Sequence, residues 1–379
     1  MDRPSIAPLI DPSEFIGLEG IAHLCAGGEA PILGVALASL ERFARDKAGG
    51  MAGRERLFDT YRETKSHLAW LVNRPPDDIA FLGSTSDGVN LVAQTTDWRP
   101  GDNVVVADVE FPSLVYPWTR LAERGVETRV VASRAGLVTL DGLRTAVDAR
   151  TRILAISQVS FRTGQRVSIP AVANIAWQAG ARLLVDATHA LGVVPVDANY
   201  CDYLVSSCYK WLFGTHGLGV FVVNRSRLPT IEPAGLGWHS VAERGGPAAP
   251  TEVHLRPDAD RLEAGNPAFP AIYALHAALT RLAEVPERDV ESHISALAGL
   301  VLAGLRGRGY DVLTPGEPAQ RAGNVCFASA EPTELVDRLA ARGVLVWGSE
   351  GRVRVSAHIY NGSPDVDRFF KALDLRVGT

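Results

Sequence analysis

The sequence predicts an α/β protein: a large domain on a buried, largely parallel sheet, followed by a smaller C-terminal α/β domain. Three observations carry this expectation. The apolar runs 103–107, 127–131, 153–157, 182–186, 203–206 and 219–223 are strand-length, and their apolarity is continuous, which suits a sheet covered on both faces. Helical patterns separate most of these runs. The chain has 379 residues, more than one hydrophobic core ordinarily serves. The expected division is an N-terminal segment 1–20, a large domain 21–262 and a small domain 263–379.

In chain order, the first informative element is the apolar run 79–82, followed by Gly83-Ser84-Thr85-Ser86-Asp87-Gly88-Val-Asn90. Small hydroxyl residues after a strand open a helix. Its free N–H groups and positive dipole end form an anion site, to which the hydroxyls of Thr85 and Ser86 add donors. Alone, such a cluster is ordinarily only a cap.

The second element is Arg182-Leu-Leu-Val-Asp186, which opens Ala-Thr-His189. A carboxylate at the carboxyl end of a buried strand lies where open α/β sheets bind ligands. His189, three residues on, can reach the same place. The plainer readings are an N-cap for Asp186 and a cap or core filler for His189.

The third element is Lys210, which ends Asp202-Tyr-Leu-Val-Ser-Ser-Cys-Tyr-Lys210 and is followed by Trp-Leu-Phe-Gly214-Thr-His-Gly217-Leu-Gly219. A lone lysine at a strand end ordinarily snorkels to solvent. Here it sits between two apolar runs and beside three glycines that permit close approach of backbone and ligand. A desolvated lysine has a lowered pKa and serves as the neutral amine of a Schiff base with an aldehyde cofactor. Pyridoxal phosphate needs this amine, a carboxylate to keep its ring nitrogen protonated, and a phosphate cradle. All three follow separate strands in this chain.

With these motifs the sequence resembles the class V aminotransferase group of fold type I pyridoxal phosphate enzymes, which includes cysteine desulfurases, kynureninases and isopenicillin N epimerase-like proteins. The resemblance covers nearly the whole chain. It continues through Glu110-Phe-Pro-Ser113, Ser157-Gln-Val-Ser-Phe-Arg-Thr-Gly164, Glu263-Ala-Gly265-Asn266-Pro and Arg352-Val-Arg354-Val-Ser-Ala-His-Ile-Tyr360-Asn361. It implies a mostly parallel seven-stranded sheet with one antiparallel strand at the lysine segment.

Position by position, the resemblance makes Lys210 the Schiff base lysine and proton shuttle, and Asp186 the partner of the pyridine nitrogen. Thr85, Ser86, Ser207 and Tyr209 correspond to the phosphate shell, and His189 to the contact with the phenolic oxygen. Phe111 would stack on the ring where many relatives carry histidine, so it can pack but not transfer a proton. Gln158 is placed near the ring by analogy. Gly265 and Asn266 resemble a loop that reaches the neighbouring subunit's phosphate, which implies a homodimer with shared active sites. Arg354 resembles the arginine that holds the substrate carboxylate, a task suited to its planar fork. Arg162 and Arg166 face either the substrate mouth or solvent.

Net charge is -5, with no basic run, which argues against nucleic acid or an anionic membrane as the main partner. The start lacks the apolar core of a signal peptide and no apolar stretch is long enough to span a bilayer, so the expected location is the cytoplasm. The four cysteines, at 25, 201, 208 and 326, form no CxxC pair and no ligand set, and are expected as reduced thiols, with Cys208 and Cys326 in the core. Desulfurases carry a nucleophilic cysteine shortly before the carboxylate-binding arginine. The stretch 343–352 contains none, so a persulfide-forming desulfurase is not expected.

Helical periodicity dominates 268–305. A last helix is expected with Ser363 as N-cap, Pro364 at its first position, and Val366, Phe369, Phe370 and Leu373 on one face, covering a sheet formed near Val325, Leu345 and Val353. Gly245 to Pro250 reads as a flexible loop at the substrate entrance, and 22–31 as a segment running over the active-site mouth. The expected activity is that of a pyridoxal phosphate enzyme working at the α-carbon of a small-molecule amino acid substrate. Aminotransferase is the leading reading and a lyase or epimerase the alternative. A cofactor-free scaffold is disfavoured by the joint presence of lysine, aspartate and phosphate residues. A nucleotide-binding oxidoreductase is disfavoured by the lack of an early strand, glycine-rich turn and helix.

Overall fold

The computed structural model describes residues 5–242 and 253–375, so the expected loop at Gly245 to Pro250 lies outside the described residues. In chain order the strands are β1 (Ala22–His23), β2 (Ile79–Leu82), β3 (Asn103–Ala107), β4 (Glu127–Val131), β5 (Thr151–Ser157), β6 (Arg182–Asp186), β7 (Tyr203–Ser207), β8 (Gly219–Val223), β9 (Asn324–Ala328), β10 (Val344–Leu345), β11 (Trp347–Ser349) and β12 (Arg352–Ser356). The helices are α1 (Gly34–Ala48), α2 (Gly50–Val72), α3 (Thr85–Thr95), α4 (Pro112–Thr119), α5 (Leu140–Ala146), α6 (Ile169–Gln178), α7 (Phe269–Leu282), α8 (Glu287–Gly307), α9 (Pro332–Ala340) and α10 (Ser363–Asp374).

Seven strands form one sheet in the order β2-β8-β7-β6-β5-β3-β4. Strands β3 to β7 pair in parallel, and β8 runs antiparallel to both β7 and β2. The reversal at β8 follows from its connection. Phe213 adopts a left-handed conformation with φ 54, and Gly214 N donates to Cys208 O at 2.9 Å, so the chain folds back without a crossover helix. Strands β3, β7 and β8 are buried along their whole length, as continuous apolarity requires. The run 127–131 departs from that expectation: β4 is an edge strand, with Glu127 and Val130 exposed. Two apolar clusters cover the faces of the sheet, one with α6, α7 and Trp211, the other with α3, Trp118 and Phe221.

A second, three-stranded antiparallel sheet has the order β11-β12-β9, and β1 pairs in parallel with β10. The third apolar cluster joins Val325, Val353, the second half of α8 and the inner face of α10. Two corrections apply here. Gly362, not Ser363, precedes α10, and its N–H donates to Asp365 Oδ2 at 2.9 Å, so Pro364 takes the second helical position. Leu345 belongs to the β1/β10 pair and not to the sheet of Val325 and Val353. The buried face Val366, Phe369, Phe370 and Leu373 is as expected.

The apolar clusters part elsewhere than at 262/263. Helix α7 and the start of α8 (Val290, Ile294) pack into the large cluster. The N-terminal segment is hydrogen-bonded to the C-terminal unit: Leu9 N to Ile359 O at 2.7 Å, Ala22 N to Gly343 O at 2.8 Å and Leu24 N to Leu345 O at 2.8 Å. Pairing of β1 with β10 satisfies backbone groups that a short isolated strand would leave open. No described helix is long and apolar enough to cross a membrane.

Candidate active site

The parallel strands end on one edge, and their carboxyl ends deliver the side chains singled out in the sequence. Strand β2 leads into Ser84 and α3, β3 into Phe111, β5 into Ser157, β6 into Asp186 and His189, and β7 into Ser207, Tyr209 and Lys210. These residues, with Thr85 and Ser86, line one cavity of about 190 Å³.

Lys210 is buried at 8% exposure. Burial, aided by the Arg354 charge and opposed by Asp186 and Glu29, lowers its amine to about 8. Its Nζ lies 3.4 Å from His189 Nε2 and 5.6 Å from the centroid of Phe111. Trp211 Nε1, a donor only, lies 3.3 Å from His189 Nδ1, and Asn324 Nδ2 lies 3.0 Å from the same atom. Nδ1 is therefore the acceptor and the ring proton sits on Nε2, facing the lysine. Burial and the charges of Lys210 and Arg354 push the imidazole well below its ordinary value, so it is neutral.

Asp186 Oδ1 accepts from Thr188 N at 2.8 Å. Burial raises its carboxyl, and the Thr188 bonds and the Lys210 charge counter that. At the other end of the cavity Ser84 caps α3, accepting from Asp87 N at 3.2 Å. Ser86 Oγ donates to Ser113 Oγ at 2.7 Å, Thr85 Oγ1 lies 3.4 Å from Thr188 Oγ1, and Ser207 N donates to Thr188 Oγ1 at 3.1 Å. Ser207 Oγ is buried with no hydrogen-bond partner among the described residues. Tyr209 stacks on His216 at 4.2 Å, and His216 lies 3.1 Å from Glu29.

Three expected residues lie off this cavity. Gln158 follows Ser157 and precedes Val159, both cavity-lining, so alternation turns its side chain away. Its Nε2 donates instead to Pro195 O at 2.9 Å. Asn266 is at the surface, where Oδ1 accepts from Arg54 Nη2 at 2.8 Å. Arg354 is buried behind the wall: Nη1 donates to Phe161 O at 3.1 Å, and its guanidinium lies 4.7 Å from the Trp347 ring. The segment 25–29 covers it, and a Cβ on Gly28 would lie 3.6 Å from Arg354 Nη2. Arg162 and Arg166 are engaged with Glu350 at 2.8 Å and Glu291 at 2.6 Å.

Other residues were not singled out in the sequence. Thr188 bridges the aspartate and the hydroxyl end, and its place inside Asp186-Ala-Thr-His189 was the available signal. Glu110 accepts from Ser157 N at 3.0 Å and from Ser157 Oγ, and burial lifts its carboxyl to about 7. Asn324 reads locally as a core strand residue, and only the approach of β9 to the segment after β6 brings it to His189.

The residues fit pyridoxal 5'-phosphate on the structure's own terms. A near-neutral buried amine suits its aldehyde, a buried carboxylate its ring nitrogen, and an orphaned hydroxyl beside the N-terminus of α3 its phosphate. Fold and site together define a fold type I pyridoxal phosphate enzyme. The aminotransferase class-V family model matches residues 49–369, and the chain belongs to that family. It is 31% identical over 339 residues to a probable cysteine desulfurase of Pseudomonas aeruginosa, covering 84% of this chain and 82% of the relative. It is 25% identical over 299 residues to an uncharacterized aminotransferase of Bacillus subtilis, covering 78% of each. The solved cysteine desulfurase CsdA of Escherichia coli superposes with a TM-score of 0.85 at 24% identity, over 96% of this chain and 98% of that one. A cystine C-S lyase in complex with cysteine persulfide gives 0.87 at 21%, over 95% and 99%. At these identities the structural likeness is one of fold.

Proposed function

We propose that this protein is a pyridoxal phosphate-dependent aminotransferase acting on a small-molecule amino acid substrate. The observation that carries the reading is Lys210, a buried amine with a pKa lowered to about 8, set between a carboxylate and a hydroxyl-lined helix start. Bound there, the cofactor withdraws electrons from the α-carbon of an amine attached to it. Lys210 would hold the cofactor until a substrate amine takes its place, and its freed Nζ would then take the α-proton and give it up at a second carbon on the same face. Asp186 holds the proton on the ring nitrogen. Neutral His189, with its proton on Nε2, would donate it to the cofactor's phenolic oxygen. Thr85, Ser86, Ser207 and Tyr209 would hold the phosphate, and Arg354, which lies behind the cavity wall at Phe161, is the guanidinium the family resemblance assigns to the substrate carboxylate.

Phe111 takes the stacking position without offering a proton, which leaves Lys210 as the one amine on the cavity wall among the described residues. A lysine base on one face suits proton movement between two carbons on that face, as transamination requires. Epimerisation needs a second acid on the opposite face. A lyase acting on a sulfur amino acid is the second reading, favoured by the names of the relatives. The missing thiol in 343–352, with burial raising Cys208 and Cys326 to about 12 and about 11, counts only against a persulfide-forming desulfurase, and the relatives' names stand against that exclusion. Elimination from a sulfur amino acid needs no protein thiol.

The proposal includes a cytoplasmic homodimer in which the Gly265-Asn266 loop serves the neighbour's site. It is supported by the surface position of Asn266 and by exposed Trp238, Leu236 and Met51. The test is a visible spectrum of the cofactor-loaded protein, with Lys210→Ala as control, during incubation with an amino acid panel. A band that the substitution abolishes, with release of the matching oxo acid, supports transamination. Release of pyruvate with ammonia or sulfide moves the assignment to a lyase, and no band at all overturns the reading.

A further inference from the structure

Strand β12 presents Ser356, Arg354 and Arg352 on one face, while Val353 and Val355 enter the third apolar cluster. Ser356 lies at the catalytic end, since its Oγ donates to Asn324 Oδ1 at 2.8 Å and Asn324 contacts His189. Arg354 comes next. Arg352 lies two residues farther out, roughly 7 Å along the strand.

Arg352 is 1% exposed. Its Nη1 donates to Glu350 Oε2 at 2.8 Å, but Nε and Nη2 have no hydrogen-bond partner among the described residues. Its guanidinium lies 5.0 Å from the Trp347 ring, which also carries Arg354, and 5.2 Å from the Phe161 ring, which lines the catalytic cavity. A buried guanidinium with free donors is costly unless an anion completes it. An α-carboxylate needs only Arg354.

The local charge agrees. Arg162 and Arg352 share one oxygen of Glu350, each at 2.8 Å, and Arg354 has no carboxylate partner among the described residues. Glu350 is half in solvent, at the tip between β11 and β12, with a left-handed φ of 49. It is a carboxylate that can be exchanged for another.

We propose that Arg352 is a subsite for a second anion of the substrate, so that the preferred substrate is an amino acid whose side chain ends in an acidic group. The α-carboxylate lies at Arg354, the distal acid at Arg352, and Glu350 is the internal carboxylate displaced on binding. This inference rests on the amino acid reading of the same cavity.

The test is calorimetric binding of glutarate and of butyrate, a chain-matched monoacid, to the cofactor-loaded protein. Glutarate is expected to bind about tenfold to a hundredfold more tightly, the range of a charge-assisted hydrogen bond. Arg352→Gln should bring glutarate down to butyrate, and Arg352→Lys should recover part of the difference. Glu350→Gln should raise the glutarate-to-butyrate ratio, a gain that a folding defect does not produce. Equal binding of the two acids in the unsubstituted protein, or a preference that Arg352→Gln leaves intact, overturns the subsite. If neutral amino acids are turned over through Lys210 while glutarate owes nothing to Arg352, only the subsite fails. If Arg352-dependent glutarate binding persists in a protein whose Lys210 takes no cofactor, the reaction fails and the subsite stands.

Discussion

Lys210 owes its reactivity to burial first and to the Arg354 charge second. A base with a depressed pKa is free at lower pH, so condensation with pyridoxal phosphate should rise through an inflection near 8 instead of the ordinary 10.5. Stopped-flow absorbance across pH measures it. Arg354→Gln removes a like charge and should move the inflection upward, whereas Asp186→Asn should move it downward. Glu110 shows the opposite sign. Its folded carboxyl sits at about 7 against 4.5 in the unfolded chain, so the folded state binds the extra proton between those values. Its contribution to stability therefore falls as pH rises from 4.5 to 7. Denaturant unfolding of Glu110→Gln should lack that part of the slope.

At the scale of elements, the cofactor cradle depends on how α3 lies against the sheet. Gly88 permits the contact: a Cβ there would come within 2.6 Å of Val205 Cγ1 and 3.0 Å of Phe221 Cδ2. Gly88→Ala should cost about 1–3 kcal/mol, the range of overpacking, and weaken cofactor retention by tilting the helix start. Thermal unfolding and cofactor titration measure the two effects. The strands around this helix were legible because buried strands write themselves as continuous apolar runs. The cap of α10 was displaced by one residue because Ser363, Pro364 and Gly362 all suit a helix start, and the Asp365 bond to Gly362 N decided between them.

At the scale of the molecule, the N-terminal segment ties the C-terminal unit to the site. Residues 25–29 lie over Arg354, and a Cβ at Gly27 would come within 2.5 Å of Asn324 Oδ1 and 2.8 Å of Ser356 Oγ. Gly27→Ala should therefore disturb the hydrogen bonds that set the His189 tautomer, raising KM more than it lowers Tm. Steady-state kinetics beside calorimetric melting separate the two. Deletion of residues 1–28 should remove the backbone bonds of Leu9, Ala22 and Leu24 and lower Tm by several degrees.

The sequence by itself determined the sheet, the order of its strands along the chain, and the lysine, aspartate and hydroxyl cluster at their ends. Each is written in a local pattern of apolarity or in a motif beside it. Tertiary structure alone decided that Gln158 faces away, that Asn324 and Trp211 fix the His189 proton, and that Arg352 is buried with free donors. Those facts arise where segments distant in sequence meet, and no local pattern records which partner a side chain will find.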